Sequence, residues 1–283
     1  MYDEHDRMHA WSRENWIAFG KKVFHESLQD DLPGQAAQLS FYLLLALFPA
    51  LLCLTSIVGM LPLENVLPQL MDSLQTVLPA DSMRLVEDYL QQVQEGSGTG
   101  ILSLGMLGAL WAASSGVVAL MAALNVVYEV KEYRSFLKAR LVAIGLTFGT
   151  GIFVTASIFL IIMGGRVSQW IAEWVGFGDL FVMTWTLMQW PLVVVFMLLA
   201  INAIYYFAPN RRSSWTWISP GAVVAVVLWL VSSLGFKLYV ENFNNYNAAY
   251  GSLAAVIVLM LWFYLSGAVL LLGAEINSEL NKA

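Results

Sequence analysis

Six stretches of this chain contain no Asp, Glu, Lys or Arg, running from Leu32 to Leu63, Gly96 to Tyr128, Leu141 to Gly165, Leu180 to Asn210, Ser213 to Phe236 and Asn242 to Ala274. Each is long enough to cross a hydrocarbon core, which a helix spans in about 20 apolar residues. The composition agrees. The chain is 59% hydrophobic and 12% charged, where soluble domains carry about 25% charged residues. A membrane protein is the reading that fits.

The fourteen basic residues give the orientation. Arg7, Arg13, Lys21 and Lys22 precede the first stretch. Lys131, Arg134, Lys138 and Arg140 lie in the second connection, Arg211 and Arg212 in the fourth, and Lys282 after the last. Only Arg84, Arg166 and Lys237 occupy the alternate connections. Cytoplasmic segments carry the excess of Lys and Arg, so both termini are expected in the cytoplasm and the number of passes is expected to be even. The acids Glu64, Asp72, Asp81, Glu87, Asp88 and Glu95 gather in the first outer connection, so the low isoelectric point marks a face of the membrane rather than a basic partner.

The expected fold is therefore all-α, a polytopic membrane protein with six transmembrane helices in one integral membrane domain over 1–283. Spans are expected near 35–61, 101–127, 140–163, 180–207, 219–240 and 251–274. An amphipathic helix is expected over 10–30 and a helical outer segment over 63–95, where two apolar stripes are broken at Pro79-Ala80-Asp81. The polar first thirty residues lack a signal-peptide pattern, so the first span is expected to be retained. The helix over 10–30 has two readings. It either lies along the headgroups or packs on the inner face of the protein. Pro49 removes a backbone hydrogen bond inside the first span and predicts a kink. Ala109, Ala112, Ala113, Gly116, Ala119 and Ala123, and again Gly145 with Gly149, recur at spacings that let helix backbones approach closely. Gly164-Gly165 is expected to end the third span, and the last span is expected to stop at Gly273.

Several chemistries lack their residues. All three histidines, His5, His9 and His25, precede the first span, so a Ser and His pair at bilayer depth cannot be built. No His-Glu-x-x-His and no phosphate-binding Gly-x-x-x-x-Gly-Lys-Ser/Thr pattern occurs. Cys53 stands alone, which excludes an intrachain disulfide. No cofactor, metal or nucleic-acid partner is expected, and the chain is not expected to be an enzyme.

Ionisable or polar groups at membrane depth are functional candidates because burying them is costly. Lys237, able to pair with Glu241 one turn on, joins Asn245 and Tyr250 as candidates at an outer entrance. Ser114 and Ser115 are candidates for a cavity wall. Arg134, Arg140 and Glu275 are candidates for an inner gate, with Arg140 or Arg211 as the partner of Glu275. Gln35, Gln38, Ser40, Gln189, Asn202, Ser232 and Ser233 either line a cavity or bond between helices.

Leu47-Phe48-Pro49, Leu110-Trp111-Ala112-Ala113-Ser114-Ser115-Gly116, Asn125 with Tyr128, the basic turn with Arg134 and Arg140, Tyr206-Phe207-Ala208-Pro209, Ser219-Pro220-Gly221-Ala222, Tyr250-Gly251-Ser252-Leu253, Trp262 and Gly273-Ala274-Glu275-Ile276-Asn277 together resemble the YihY/BrkB family over nearly the whole chain. The resemblance implies a six-span protein of the bacterial inner membrane. The family includes a virulence factor linked to serum resistance, and members have been associated with movement of lipids or lipopolysaccharide precursors. An older label as a tRNA-processing ribonuclease is regarded as a misassignment. A nuclease would need a cytoplasmic metal or acid and base constellation, and the basic residues here already follow from orientation. The leading expectation is a transporter-like protein that moves or accommodates an amphiphile among membrane lipids, compatible with a homo-oligomer. The alternative is a scaffold for envelope-biogenesis partners docking on the outer segment.

Overall fold

The computed structural model describes residues 13–60, 99–175, 178–211, 214–241 and 252–282, and all regular structure among them is helical. Among the described residues seven helices follow one another: α1 (Arg13–Gln29), α2 (Leu32–Met60), α3 (Thr99–Val127), α4 (Phe136–Val175), α5 (Gly178–Phe207), α6 (Pro220–Glu241) and α7 (Ser252–Lys282). Five of them are long and apolar enough to cross a membrane within Leu110–Val127, Phe136–Ser157, Phe181–Phe207, Pro220–Val240 and Val256–Lys282, and α2 contributes a shorter apolar stretch, Leu32–Leu47. The chain is a polytopic α-helical membrane protein. The expected outer segment over 63–95 lies outside the described residues, as do Asn245 and Tyr250.

The chain forms two compact units, Leu43–Gly116 on one hand and Met1–Tyr42 with Val117–Ala283 on the other. In the first, an added Cβ at Gly116 would stand 3.0 Å from the Leu43 side chain and 3.4 Å from Ala46, so a small residue there does let α2 and α3 meet. In the second, α4 pairs with α5, α6 with α7, α5 touches α6, and α1 packs on α7.

Helix ends follow their capping chemistry. Asp31 precedes α2 with a φ of 50° and accepts a hydrogen bond from the Gly34 N–H through Oδ1 at 3.2 Å. At the end of α3 the Glu129 N–H donates to the Val126 carbonyl and the Val130 N–H to the Asn125 carbonyl, both at 2.8 Å. That is a Schellman closure with Glu129, at φ 51°, where glycine is the usual occupant.

Two helices outrun their expected limits. α4 passes through Gly164-Gly165 to Val175, since glycine weakens a helix by only about 1 kcal/mol and does not forbid it. α7 continues past Gly273 to Lys282, because the polar residues that follow find partners on other elements. Pro49 and Pro191 lie within α2 and α5.

α1 packs on α7 through one face. Val23 and Ser27 are buried, while Trp16, Ile17, Phe24 and Leu28 remain exposed on other faces.

Candidate functional site

The pieces that carried the family resemblance in α5, α6, α7 and the turn after α3 converge at one end of the helices, where α1 also docks. Ser219 starts this junction. Its Oγ accepts from the Ala222 N–H at 3.3 Å as the N-cap of α6, and Pro220 has no N–H to satisfy. The Gly221 N–H that remains donates to Asn277 Oδ1 of α7 at 2.8 Å, while Asn277 Nδ2 donates to Ser219 Oγ at 3.0 Å. The Ser219 N–H in turn donates to Asn202 Oδ1 of α5 at 3.0 Å. A buried helix start is thereby satisfied by its own N-cap and by side chains from two other helices.

Close backbone approach sets this geometry. A Cβ on Gly273 would stand 2.5 Å from both the Gly221 carbonyl oxygen and the Tyr205 hydroxyl, and a Cβ on Gly221 would run into the Gly273 carbonyl. Tyr205, buried, donates its hydroxyl to the Leu270 carbonyl at 2.6 Å. Farther along the same pair, Trp229 Nε1 donates to Ser266 Oγ at 3.1 Å, and Trp262 packs against Trp229 and Phe236.

The turn after α3 closes the end of α5. Arg134 donates to the Phe207 carbonyl at 3.3 Å and the Ala208 carbonyl at 2.7 Å, filling acceptors that a helix C-terminus leaves open. Its guanidinium is gripped by Glu132 through Nε at 2.8 Å and Nη2 at 2.7 Å. Asn125 donates to Glu132 at 3.0 Å and accepts from the Asn210 N–H at 2.7 Å. The Arg134 hydrogen bonds hold the Glu132 carboxyl down to about 2. Arg211 lies over the Tyr128 ring, 3.8 Å from its centre. Burial pushes the Tyr128 hydroxyl up to about 12 against the pull of Arg211.

An ionic latch joins α1 to α7. Glu279 is fully buried and pairs with Lys22 at 2.6 Å and Lys282 at 2.7 Å, and Lys282 also reaches Glu129 at 2.7 Å. Asp30 is shifted upward, first by its burial and then by the charges of Glu129 and Glu26. Nothing in the sequence named Lys22 as the partner of Glu279, although the Glu279 and Lys282 spacing of three was visible.

The expected site residues divide accordingly. Arg134 is the clamp just described. Arg140 is buried on α4, one turn before the buried Ala143. Glu275 is buried and pairs with neither Arg140 nor Arg211, which corrects the expected ion pair: Arg211 is turned onto Tyr128, and both Glu275 carboxyl oxygens lack a hydrogen bond. Ser114 and Ser115 donate to the Trp111 carbonyl of their own helix, at 2.8 and 3.5 Å, and Ser40 to Ala37. Lys237 is exposed on α6.

A second feature lies between α4 and α5. A cavity of about 540 Å³ is walled by Gly145, Gly149 and Phe153 on one side and Leu199 and Ala203 on the other, with Phe207, Trp215 and Trp217 at the junction end. The expected close contact at Gly145 and Gly149 is not made. An added Cβ at either would meet nothing within 4 Å, because the opposite wall stands back and the missing side chains become the cavity. The hydroxyl of Thr150 is turned onto the Leu146 carbonyl at 2.6 Å, so the lining offers apolar surface. Tyr206, Phe207, Trp215 and Trp217 form a chain of ring contacts at the mouth. Lys138, exposed and without an ion pair among the described residues, lies one helical turn before Val142 on the cavity face of α4.

Comparison with known proteins places this architecture. The chain is 36% identical over 266 residues to the ribonuclease-like protein YfkH of Bacillus subtilis (strain 168), covering 94% of this chain and 96% of that one. It is 25% identical to the UPF0761 membrane protein Smlt0865 of Stenotrophomonas maltophilia (strain K279a) and 27% identical to a UPF0761 membrane protein of Xanthomonas oryzae pv. oryzae (strain PXO99A), over 97% of this chain in each case. It spans only 65% and 64% of those two proteins. No solved structure matches. The family model described as virulence factor BrkB matches residues 23–283, and the chain belongs to that family.

Proposed function

We propose that this protein is a non-enzymatic, transporter-like protein of the bacterial inner membrane that moves or accommodates an amphiphile such as an envelope lipid. The cavity between α4 and α5 carries this reading. Its volume of about 540 Å³ falls within the ~300–1,000 Å³ of small-molecule sites, and its apolar lining suits an acyl chain. The aromatic mouth matches the headgroup level, where Trp and Tyr are enriched. Lys138 then stands where an anionic headgroup would lie. The junction end is cytoplasmic in this reading, with six passes and both termini on that side. α1 and the last turn of α7 meet there through Lys22 and Glu279, as an even number of passes requires.

The test is movement of labelled phospholipid in proteoliposomes. Wild type is expected to move it, Gly149→Phe to block it by filling the cavity, and Lys138→Ala to weaken it for anionic lipids more than for zwitterionic ones. No movement of any envelope lipid by wild type, or full movement by Gly149→Phe, would remove the basis of the proposal. Purified protein is expected to leave tRNA uncut.

A further inference from the structure

The junction holds an unpaired acid. Glu275 is 1% exposed, and neither of its carboxyl oxygens has a hydrogen-bond partner among the described residues. The two lysines of the latch are engaged elsewhere, Lys22 with Glu279 and Lys282 with both Glu279 and Glu129. The groups facing Glu275 are mostly acidic. They are Glu26 and Asp30 from the α1 side, Glu279 with Lys282 on α7 itself, and the Tyr128 hydroxyl from the end of α3. A buried carboxylate without a partner is penalised by several kcal/mol, and it escapes by taking a proton. No group of three or more His, Cys, Asp or Glu side chains is assembled to hold a metal ion among the described residues, which favours a proton over a divalent cation as the ligand.

We propose that Glu275 is a proton-binding site and that its proton keeps α1 seated on α7. Once the proton leaves, the new negative charge faces Glu26 and Asp30, and lifting α1 away relieves the repulsion. The fold supplies a short pivot, the turn at Asp30 and Asp31 before α2. It also supplies a second resting place, since Ile17, Phe24 and Leu28 form an exposed apolar stripe on α1 suited to the headgroup boundary. The site makes the seating of α1 respond to pH, and this inference is independent of what the cavity carries.

Two measurements test it without any transport assay. Infrared spectra of the purified protein are expected to show the carboxylic-acid carbonyl band of a protonated buried acid, absent in Glu275→Gln and retained in Glu279→Gln. Absence of the band in wild type, or its persistence in Glu275→Gln, overturns the assignment. A band absent in sodium buffer, together with sodium-dependent protection of α1, would give the site to a monovalent cation and also overturn it. Second, in a Cys53→Ala background, Ser27→Cys on the buried face of α1 reports seating by thiol labelling relative to Lys21→Cys on the exposed side. That ratio is expected to rise between about pH 5 and about pH 9, the window above the ordinary carboxylate range into which burial moves a carboxyl group, and to stay flat when Glu275→Gln is added. A ratio that rises equally in both, or in neither, overturns the coupling to α1.

Discussion

The α6–α7 pair carries glycine on both helices and the α4–α5 pair carries two glycines on α4, and the two pairs use it in opposite ways. At Gly221 and Gly273 the missing side chains are replaced by the neighbouring backbone, and the contact is locked by Asn277, Ser219 and Tyr205. At Gly145 and Gly149 they are replaced by nothing, and a cavity opens. Without a hydrophobic drive between helices in lipid, small residues only permit approach, and polar bonds across the interface complete it. The first pair has such bonds close to its glycines. Along the second, the Thr147, Thr150 and Ser157 hydroxyls turn back on carbonyls of their own helix.

The sharpest way to break this contrast is glycine replacement. Gly221→Ala or Gly273→Ala is expected to destabilise the protein by about 3 kcal/mol or more, since backbone must move to admit the methyl group. Gly145→Ala and Gly149→Ala are expected to be neutral or to stabilise by about 0.5–1 kcal/mol, the helix preference for alanine. Thermal unfolding in detergent checks both, and equal effects at the two seams would erase the distinction.

A second comparison sets the ionic latch against the pairs that are more open to solvent. Removing Lys22 alone leaves Lys282 on Glu279, so a modest loss is expected. Lys22→Ala with Lys282→Ala strands a fully buried carboxylate and is expected to cost about 3 kcal/mol or more. The loss should exceed the sum of the single variants, which a double-mutant cycle reads directly. Additive losses would mean that the two lysines do not share Glu279.

The smallest effect belongs to the Glu132 and Arg134 clamp. The folded carboxyl of Glu132 lies at about 2, below the ordinary 4.5. A depressed carboxyl contributes stability that is fully present above its unfolded value and lost as pH falls toward the folded one. Wild type should therefore lose stability between about pH 4.5 and about pH 2 more steeply than Glu132→Gln, measured by unfolding temperature against pH. Parallel curves would mean the clamp holds nothing.

Much of the helical layout was legible because a charge-free run long enough to span lipid has few other uses. The limits of α7 were not. A span reading stops at the first charge, while the helix continues because Glu279 and Asn277 meet Lys22, Gly221 and Ser219, residues far away in the chain. Arg134 and Glu275 were singled out as ionisable groups near the membrane, yet their surroundings were hidden. Sequence spacing gave Arg134 no carbonyls to close and left Glu275 a choice of arginines, neither of which it takes. The cavity was hidden for the opposite reason. Gly145 and Gly149 carry the pattern of a tight contact, and only the position of α5 shows that the contact is not made.

The most direct measurement of the central claim is photo-crosslinking of a phospholipid bearing a reactive group in its acyl chain, followed by mapping of the modified residues. Labels should concentrate on Leu146, Phe153 and Leu199 around the cavity and disappear from them in Gly149→Phe. Labels spread evenly over the exposed helix faces, or unchanged when the cavity is filled, would show that lipid has no special place between α4 and α5.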